Sequence, residues 1–318
     1  MSEENNNWER GVLEKLAMSA IQEQRRTRHW SIFFKVLTFG YLFILLFLFM
    51  GWAGDHGDGG LSGSKHTALI ELNGVISSDS NVNADNLIGS LQEAFKDQNT
   101  VGIILRINSP GGSPVQAGLV NDEIRRLRGL HPEIPLYVVV EDMCASGGYY
   151  IAAAADKIFV NKASIVGSIG VLMDGFGFTG SMQKLGVERR LMTAGENKGF
   201  MDPFSPRNPK HEEFTKSMLS EIHTQFIDVV KQGRGDRLKE TPEMFSGLFW
   251  SGQKSIEMGL ADAIGSMDSV ARDVIKQENI VDFTTHEGFA DRLAKKFGAG
   301  VASAFPGFGA QVGDVTLR

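Results

Sequence analysis

From Val36 to Ala53 the chain carries no charged residue, and the middle of this run reads Tyr41-Leu42-Phe43-Ile44-Leu45-Leu46-Phe47-Leu48-Phe49-Met50. Inside a hydrocarbon layer backbone N–H and C=O groups find no water, so a single apolar run of this kind satisfies them as a helix. About 20 apolar residues span a bilayer. Ser31 to Ala53 supplies that length with one interruption, Lys35, close enough to the end for its ammonium to snorkel. Arg25, Arg26 and Arg28 precede the run, and Asp55 and Asp58 follow it. The excess of basic residues on the N-terminal side then places residues 1–30 in the cytosol and the bulk of the chain across the membrane. A cleaved signal peptide is the rival reading. The length of the run, its late start and the lack of a small-x-small cleavage site favour an uncleaved anchor.

The rest of the chain divides around that segment. Residues 8–24 carry Val12, Leu13, Leu16, Met18 and Ile21 at helical spacing and read as a short amphipathic helix or a solvated lead-in. Residues 31–53 are the anchor. Residues 54–66, rich in Gly, Asp and Ser, are a flexible linker. A globular domain follows over 67–283. Residues 284–318 form an extension in which Phe289, Leu293, Phe297 and Val301 recur every fourth residue, so it is read as partly helical or disordered. A net charge of −6 without a sustained basic stripe argues against nucleic acid as a partner. The single cysteine, Cys144, excludes an intrachain disulfide and reads as a small buried hydrophobe.

Within the globular part strands alternate with helices. Ala68–Ile76, Val101–Ile107, Leu136–Val140 and Lys157–Val160 read as strands, Val115–Leu130 and Ser146–Ala155 as helices. This order implies an α/β fold built from parallel βαβ units. Ligands in such folds gather at the carboxyl ends of the strands, and two glycine-rich turns, after Ile107 and after Val140, belong to that edge. Pro209–Gln232 reads as a long helix with Phe214, Met218, Leu219, Ile222, Phe226 and Val229 on one side.

The turn after the third strand is Cys144-Ala145-Ser146-Gly147-Gly148-Tyr149-Tyr150. It sets the Ser146 hydroxyl at a helix N-terminus, where free N–H groups and the macrodipole favour an oxyanion. A serine in this place is also a common N-cap. The turn after the second strand, Asn108-Ser109-Pro110-Gly111-Gly112-Ser113, lets backbone amides approach a ligand closely. Gly112 and Gly147 are the two candidate oxyanion donors. No histidine lies near Ser146. A lysine does recur in a loop of unusual content, Gly195-Glu196-Asn197-Lys198-Gly199-Phe200-Met201-Asp202-Pro203-Phe204, where apolar residues are placed to cover it. An unperturbed lysine, with a pKa near 10.4, is a poor base at neutral pH. Burial brings it towards about 7–8, provided a hydroxyl partner offsets its desolvation. Ser168 in Gly167-Ser168-Ile169-Gly170-Val171 is the candidate partner, with Ser164 the weaker one. Met173, Phe176 and Phe178 are candidate pocket residues, although core packing is their simpler reading.

Taken in order, Ser-Pro-Gly-Gly, Ala-Ser-Gly-Gly-Tyr-Tyr-Ile-Ala-Ala-Ala-Ala-Asp, Gly-Ser-Ile-Gly-Val and the Lys198 loop with Asp202-Pro203-Phe204 resemble the membrane-anchored signal peptide peptidases of serine peptidase family S49, of the short single-domain type. The resemblance covers roughly residues 68–275 and includes the N-terminal anchor. It implies a ClpP/crotonase-like β-β-α spiral. It implies a Ser–Lys peptidase with Ser146 as nucleophile, Lys198 as general base, Gly112 and Gly147 in the oxyanion hole and Ser168 orienting the lysine. No metal and no cofactor are required. The implied substrates are remnant signal peptides and other apolar peptides. The implied setting is a bacterial inner membrane, with the N-terminus cytoplasmic and the catalytic domain extracytoplasmic, and the implied assembly is a ring- or dome-shaped homo-oligomer. Asn197 stands where the family often has an aromatic residue. Two other classes compete: a membrane-tethered peptide-binding scaffold without activity, and a crotonase-type acyl-CoA enzyme, which has no reason to carry an anchor or a Ser–Lys pair.

Overall fold

The computed structural model describes Met18 and residues 24–26, 28–46 and 64–285. Most of the helix expected over 8–24, the last seven residues of the anchor, most of the linker and the extension after Thr285 lie outside the described residues. Two units are separated near residue 62. The first contains a helix, α1 (Gln24–Leu46), of 23 residues with mean hydropathy 1.6 in its most apolar window, long and apolar enough to cross a membrane. Length and composition alone carry that statement, and a signal sequence shares both.

The second unit begins with β1 (His66–Asn73), α2 (Ala84–Lys96), β2 (Thr100–Ser109), α3 (Pro114–Leu130), β3 (Leu136–Ala145) and α4 (Gly147–Ala152). It continues with β4 (Lys157–Val160), β5 (Ile165–Gly167), α5 (Thr179–Lys184) and α6 (Pro209–Arg234). Then come β6 (Phe249–Ser251), α7 (Gly252–Glu257), β7 (Ala263–Ile264), α8 (Met267–Ser269), a π-helical turn over Val270–Ile275 and β8 (Ile280–Asp282). The strands form one sheet in the order β6-β5-β3-β2-β1-β8, with β4 beside β3 and β7 beside β4. Every pairing is parallel except β5 with β6. This is a mixed α/β fold.

Strand β1 stops earlier than its apolar pattern suggests. Gly74 has φ +111°, a turn conformation, and Ile76 returns only as a single parallel bridge to Gly112. Helix α2, which the strand pattern alone passes over, is capped by Asn83, whose side chain accepts from the Asn86 amide at 2.9 Å. It buries Leu87, Leu91, Ala94 and Phe95 along one face. The third strand runs five residues beyond Val140, and the helix expected over Ser146–Ala155 closes at Ala152.

Both faces of the central strands are buried, which is why β2 reads Val-Gly-Ile-Ile-Leu-Arg-Ile without polar alternation. Ala68, Ile70, Leu72, Ile103, Leu105, Ile107, Val138 and Val140 face the main core, which α2, α3, α4 and the C-terminal half of α6 cover. Leu69, Ile104, Val139 and Phe159 face the other way, onto Val270 and Ala271. Strand β3 changes neighbours along its length. Tyr137–Val139 pair with β4, and Met143–Ala145 pair with β5. Its register against β2 slips on the way: Ile107 faces Val140, but Ser109 faces Cys144. Two extra residues are accommodated in β3, and the strand end is re-aimed toward the turn after β2.

An ion pair locks the far end of α6 to the sheet. The Arg234 side chain is fully buried, donates from both terminal nitrogens to Asp262 at 2.9 Å, and donates from Nε to the Gly259 carbonyl at 2.8 Å. Asp262 also accepts from the Ile158 amide at 2.7 Å and from Arg237 at 3.3 Å. Burial alone would raise its carboxyl, but the hydrogen bonds and charge of Arg234 outweigh that and hold it below the usual carboxylate range. Asp262→Asn leaves a buried guanidinium without its counter-charge, so we expect a loss of about 3–5 kcal/mol, read as chemical unfolding of the detergent-solubilised full chain. Because the folded pKa is depressed, this contribution is present above the unfolded value of about 3.9 and disappears as pH falls through the folded one. The variant should therefore lose part of the wild type's acid sensitivity.

Candidate active site

Ser146 occupies the single residue between β3 and α4, with φ 50° and ψ −122°, a region that side-chain-bearing residues rarely adopt. Two bonds fix it: its amide donates to the Gly167 carbonyl at 2.9 Å, and its carbonyl accepts from the Tyr150 amide at 2.9 Å. Its hydroxyl does not cap the helix and makes no hydrogen bond among the described residues. The N-cap reading of this serine is thereby answered: the position is that of a cap, but the side chain is free.

The turn after β2 lies directly against it. A Cβ on Gly111, at φ +99°, would fall 2.7 Å from the Ser146 Cβ and 2.6 Å from the Gly147 nitrogen. A Cβ on Gly112 would meet the Ile76 carbonyl oxygen at 2.0 Å. The bridge to Ile76 uses the Gly111 carbonyl and the Ser113 amide, so the Gly112 amide points to the opposite side. Its nitrogen lies 3.3 Å from where a Gly147 side chain would begin. Gly147 is the first residue of α4, where an amide has no partner within the helix. Neither amide has an acceptor among the described hydrogen bonds. Ser109, fully buried, sets this turn: its hydroxyl donates to the Gly74 carbonyl at 2.6 Å and accepts from the Gly111 amide at 3.1 Å. Sequence reasoning assigned no role to Ser109 or Gly111, although both sit inside the Ser-Pro-Gly-Gly motif.

Ser168 follows β5 as Ser146 follows β3, and Ala145 pairs with Gly167, so the two serines are neighbours one step past the end of a parallel pair. Ser168 too has positive φ, 52°, and its amide is held by the Leu248 carbonyl at 2.8 Å. Trp250 of β6 packs on Gly167, its ring 3.2 Å from where a Cβ would stand. His223 of α6 reaches the Ile169 carbonyl at 3.0 Å. Ser164 is spent on the fold, donating to the Glu141 carbonyl and accepting from the Asn161 amide at 3.0 Å. Cys144 is fully buried, which pushes its thiol well above the ordinary range, in line with its reading as a hydrophobe.

Lys198 lies in an excursion over 171–208 in which no residue is buried, and its ammonium makes no hydrogen bond to Ser146 or Ser168 among the described residues. The apolar cover expected for it is missing within one chain. Met173, Phe176 and Phe178, candidate pocket residues whose simpler reading is core packing, are 52%, 79% and 44% exposed and so do not pack in the core. The exposed apolar strip continues onto α6, where Phe226 and Val230 are buried but Phe214 is 64% exposed. The excursion is nevertheless ordered locally. Phe178 donates its amide to the Pro203 carbonyl at 2.7 Å and stacks on Phe204 at 5.4 Å. The Ser205 hydroxyl at 2.6 Å and the charge of Arg189 hold the Asp202 carboxyl below its ordinary range.

Residues 129–281 match Peptidase family S49. This segment is an S49-type peptidase domain. It is 29% identical over 232 residues to a putative signal peptide peptidase SppA of Enterococcus faecium, covering 70% of this chain and 67% of that one. It is 32% identical over 193 residues to a putative protease of Methanocaldococcus jannaschii, covering 61% of each. A 184-residue stretch, 58% of this chain, is 47% identical to part of a protein of Brucella melitensis named Na(+)/H(+) antiporter NhaA. The chain spans only a quarter, 25%, of the length of that protein and of its Brucella abortus counterpart.

Gly111→Ala should displace the Ser146 turn, since backbone and Cβ atoms, not a flexible side-chain end, occupy the space. We expect labelling of Ser146 by a fluorophosphonate probe to fall at least about tenfold, a barrier change of about 1.4 kcal/mol. Gly118→Ala, on a face of α3 with nothing within 4 Å, should label as wild type.

Proposed function

We infer that this chain is a membrane-anchored serine endopeptidase working through Ser146 and Lys198. The observation that carries the reading is the free Ser146 hydroxyl on a strained turn, beside the two acceptorless amides of Gly112 and Gly147. In this mechanism Ser146 Oγ attacks the scissile carbonyl carbon while Lys198 Nζ takes its proton. The negative charge on the carbonyl oxygen is held by the Gly112 and Gly147 N–H groups. Collapse of the tetrahedral species expels the amine, which recovers the proton from Lys198. Water then attacks the acyl-enzyme by the same route in reverse. On this reading Ser168, next to Ser146 at the strand ends, accepts from the ammonium and orients it once Lys198 is brought to the site.

Lysine accepts a proton near neutral pH only when desolvated. The exposed position of Lys198 and the apolar residues around it favour a site completed by a neighbouring copy, whose surface supplies the missing cover. The substrate class follows from the anchor and the family: apolar peptides such as remnant signal peptides, reached from the extracytoplasmic side of a bacterial inner membrane, with α1 as the anchor and residues 1–30 cytoplasmic. The largely parallel sheet covered by helices supports a ClpP/crotonase-like spiral. The lack of a hydrogen bond between Lys198 and Ser146 among the described residues also suits the scaffold reading, in which peptides are bound and not cut.

The detergent-solubilised full chain should cleave a fluorogenic apolar peptide. Ser146→Ala and Lys198→Ala should each lower turnover at least about 10³-fold, the scale lost when a member of a catalytic unit is removed. Mixing the two inactive variants, with subunits allowed to exchange, should restore a fraction of the activity, since some interfaces then hold an intact serine and an intact lysine. A folded wild type that neither cleaves nor takes up a serine-directed probe would favour the scaffold. Retained activity in either single variant would overturn the dyad.

A further inference from the structure

We propose that His211 is a positioning residue that fixes the Lys198 turn on the N-terminal end of α6; this rests on the reading of Lys198 as the base. The turn is a compact pair of bends, with the Lys198 amide donating to the Gly195 carbonyl at 3.1 Å and the Phe200 amide to the Asn197 carbonyl at 3.0 Å. Those bonds shape the turn but do not fasten it to anything. The fastening runs through His211, which grips the residue before Lys198 and the residue two after it. His211 Nε2 lies 3.3 Å from the Asn197 side-chain oxygen, and the N–H donates. The Phe200 ring lies against the imidazole, centroids 4.8 Å apart and planes at 39°. Phe214, one helical turn along α6, meets Phe200 edge-on at 5.8 Å and 85°.

His211 is itself held on a well-formed helix start. Asn208 caps α6, accepting from the Lys210 amide at 3.0 Å, and Pro209 takes the first helical position, where no amide is needed. Thr215 donates to the His211 carbonyl at 2.8 Å. The route from a 26-residue helix to the lysine turn thus runs through the His211 imidazole, with the Phe214 ring beside it on Phe200. It also gives Asn197 a use where the family often has an aromatic residue: the aromatic contact comes from Phe200 instead, and Asn197 supplies an acceptor. His211 contacts no other candidate site residue, so it acts on the reaction through where it puts Lys198 Nζ. A misplacement of about 1 Å costs on the order of 10²-fold in rate.

The test uses the full chain in detergent and a fluorogenic apolar peptide, with kcat and KM measured for wild type, Lys198→Ala, His211→Ala, His211→Gln and His211→Phe. His211→Ala should lower kcat about tenfold to a hundredfold while KM stays within about threefold, and tryptic cleavage after Lys198 should become several-fold faster. His211→Gln, which keeps a donor for Asn197, should recover most of kcat. His211→Phe, which keeps only the ring contact, should recover less. If His211→Ala fails to assemble, Asn197→Ala cuts the same bond from the other side and should give the same kcat-selective loss. An inactive Lys198→Ala together with wild-type kcat in His211→Ala overturns the positioning role alone. Equal losses in the Ala and Gln variants, or a change confined to KM, also overturn it. An active Lys198→Ala overturns the dyad, and the role of His211 with it.

Discussion

Nothing larger than hydrogen fits between the turn that follows β2 and the turn that follows β3. Gly111 lies against Ser146 Cβ, the Gly147 nitrogen and the Ala145 carbonyl, and Gly112 lies against the Ile76 backbone. This close approach is a consequence of parallel pairing. Neighbouring strands of a parallel sheet end on the same edge, so the turns leaving them are forced together. The register slip in β3, from Val140 opposite Ile107 to Cys144 opposite Ser109, decides where along that edge they meet. Ser146 and Ser168 both sit at positive φ, at a cost of about 1–3 kcal/mol each. Each is retained by an amide bond to a neighbouring carbonyl, Gly167 for one and Leu248 for the other.

Support for that edge comes from below. Helix α4 has only six residues, too few to be stable by itself. Its position is set by α3 and α6 and by the buried Tyr149, whose hydroxyl donates to the Leu260 carbonyl at 2.7 Å. Leu260 lies in the segment that Arg234 and Asp262 pin to β4 through the Ile158 amide. Among the described residues those after 258 make no hydrogen bond to Ser146, yet they fix the helix on which Ser146 stands. Burial explains the chemistry of this layer: Cys144 and Tyr149 are both pushed upward by desolvation and stay neutral.

Much of this was legible in the sequence because local rules and the fold agree. The unbroken apolar run of β2, the helical spacing of α3 and the glycines flanking Ser146 each point to the element observed. What escaped has identifiable causes. Helix α2 was passed over because its short run, Ala84–Lys96, mixes Gly, Ser and Asn with its apolar face. Strands β5 to β8 have two or three residues each, too short for a period-two pattern to register. Ser109 was invisible as a positioning group because its two partners, the Gly74 carbonyl and the Gly111 amide, are backbone atoms, one of them 35 residues away. The exposure of Phe176 and Phe178 had no local signal at all. An apolar residue in sequence predicts burial, but not by which surface.

That last point bears on how the site is divided. The serine half obeys the economy of a single domain: its turns are tied by backbone bonds, with only the Gly112 and Gly147 amides left without an acceptor among the described residues, and its glycines are dictated by contacts within the chain. The lysine half does not. From 171 to 208 the chain exposes Leu172, Phe176, Leu185 and Met192, the last at 93%. On the proposed reading this exposed apolar surface is the face that a neighbouring copy covers. A flexible arm would not need the internal stacking of Phe178 on Phe204 or the clasp of His211 on Phe200, which are features of a surface shaped before it is covered. On the peptidase reading this has a chemical use. A lysine left in water cannot act as a base near neutral pH, so a chain that keeps Lys198 exposed until a neighbour covers it stays inactive as a monomer. Assembly would then supply both the geometry and the desolvation that the dyad requires.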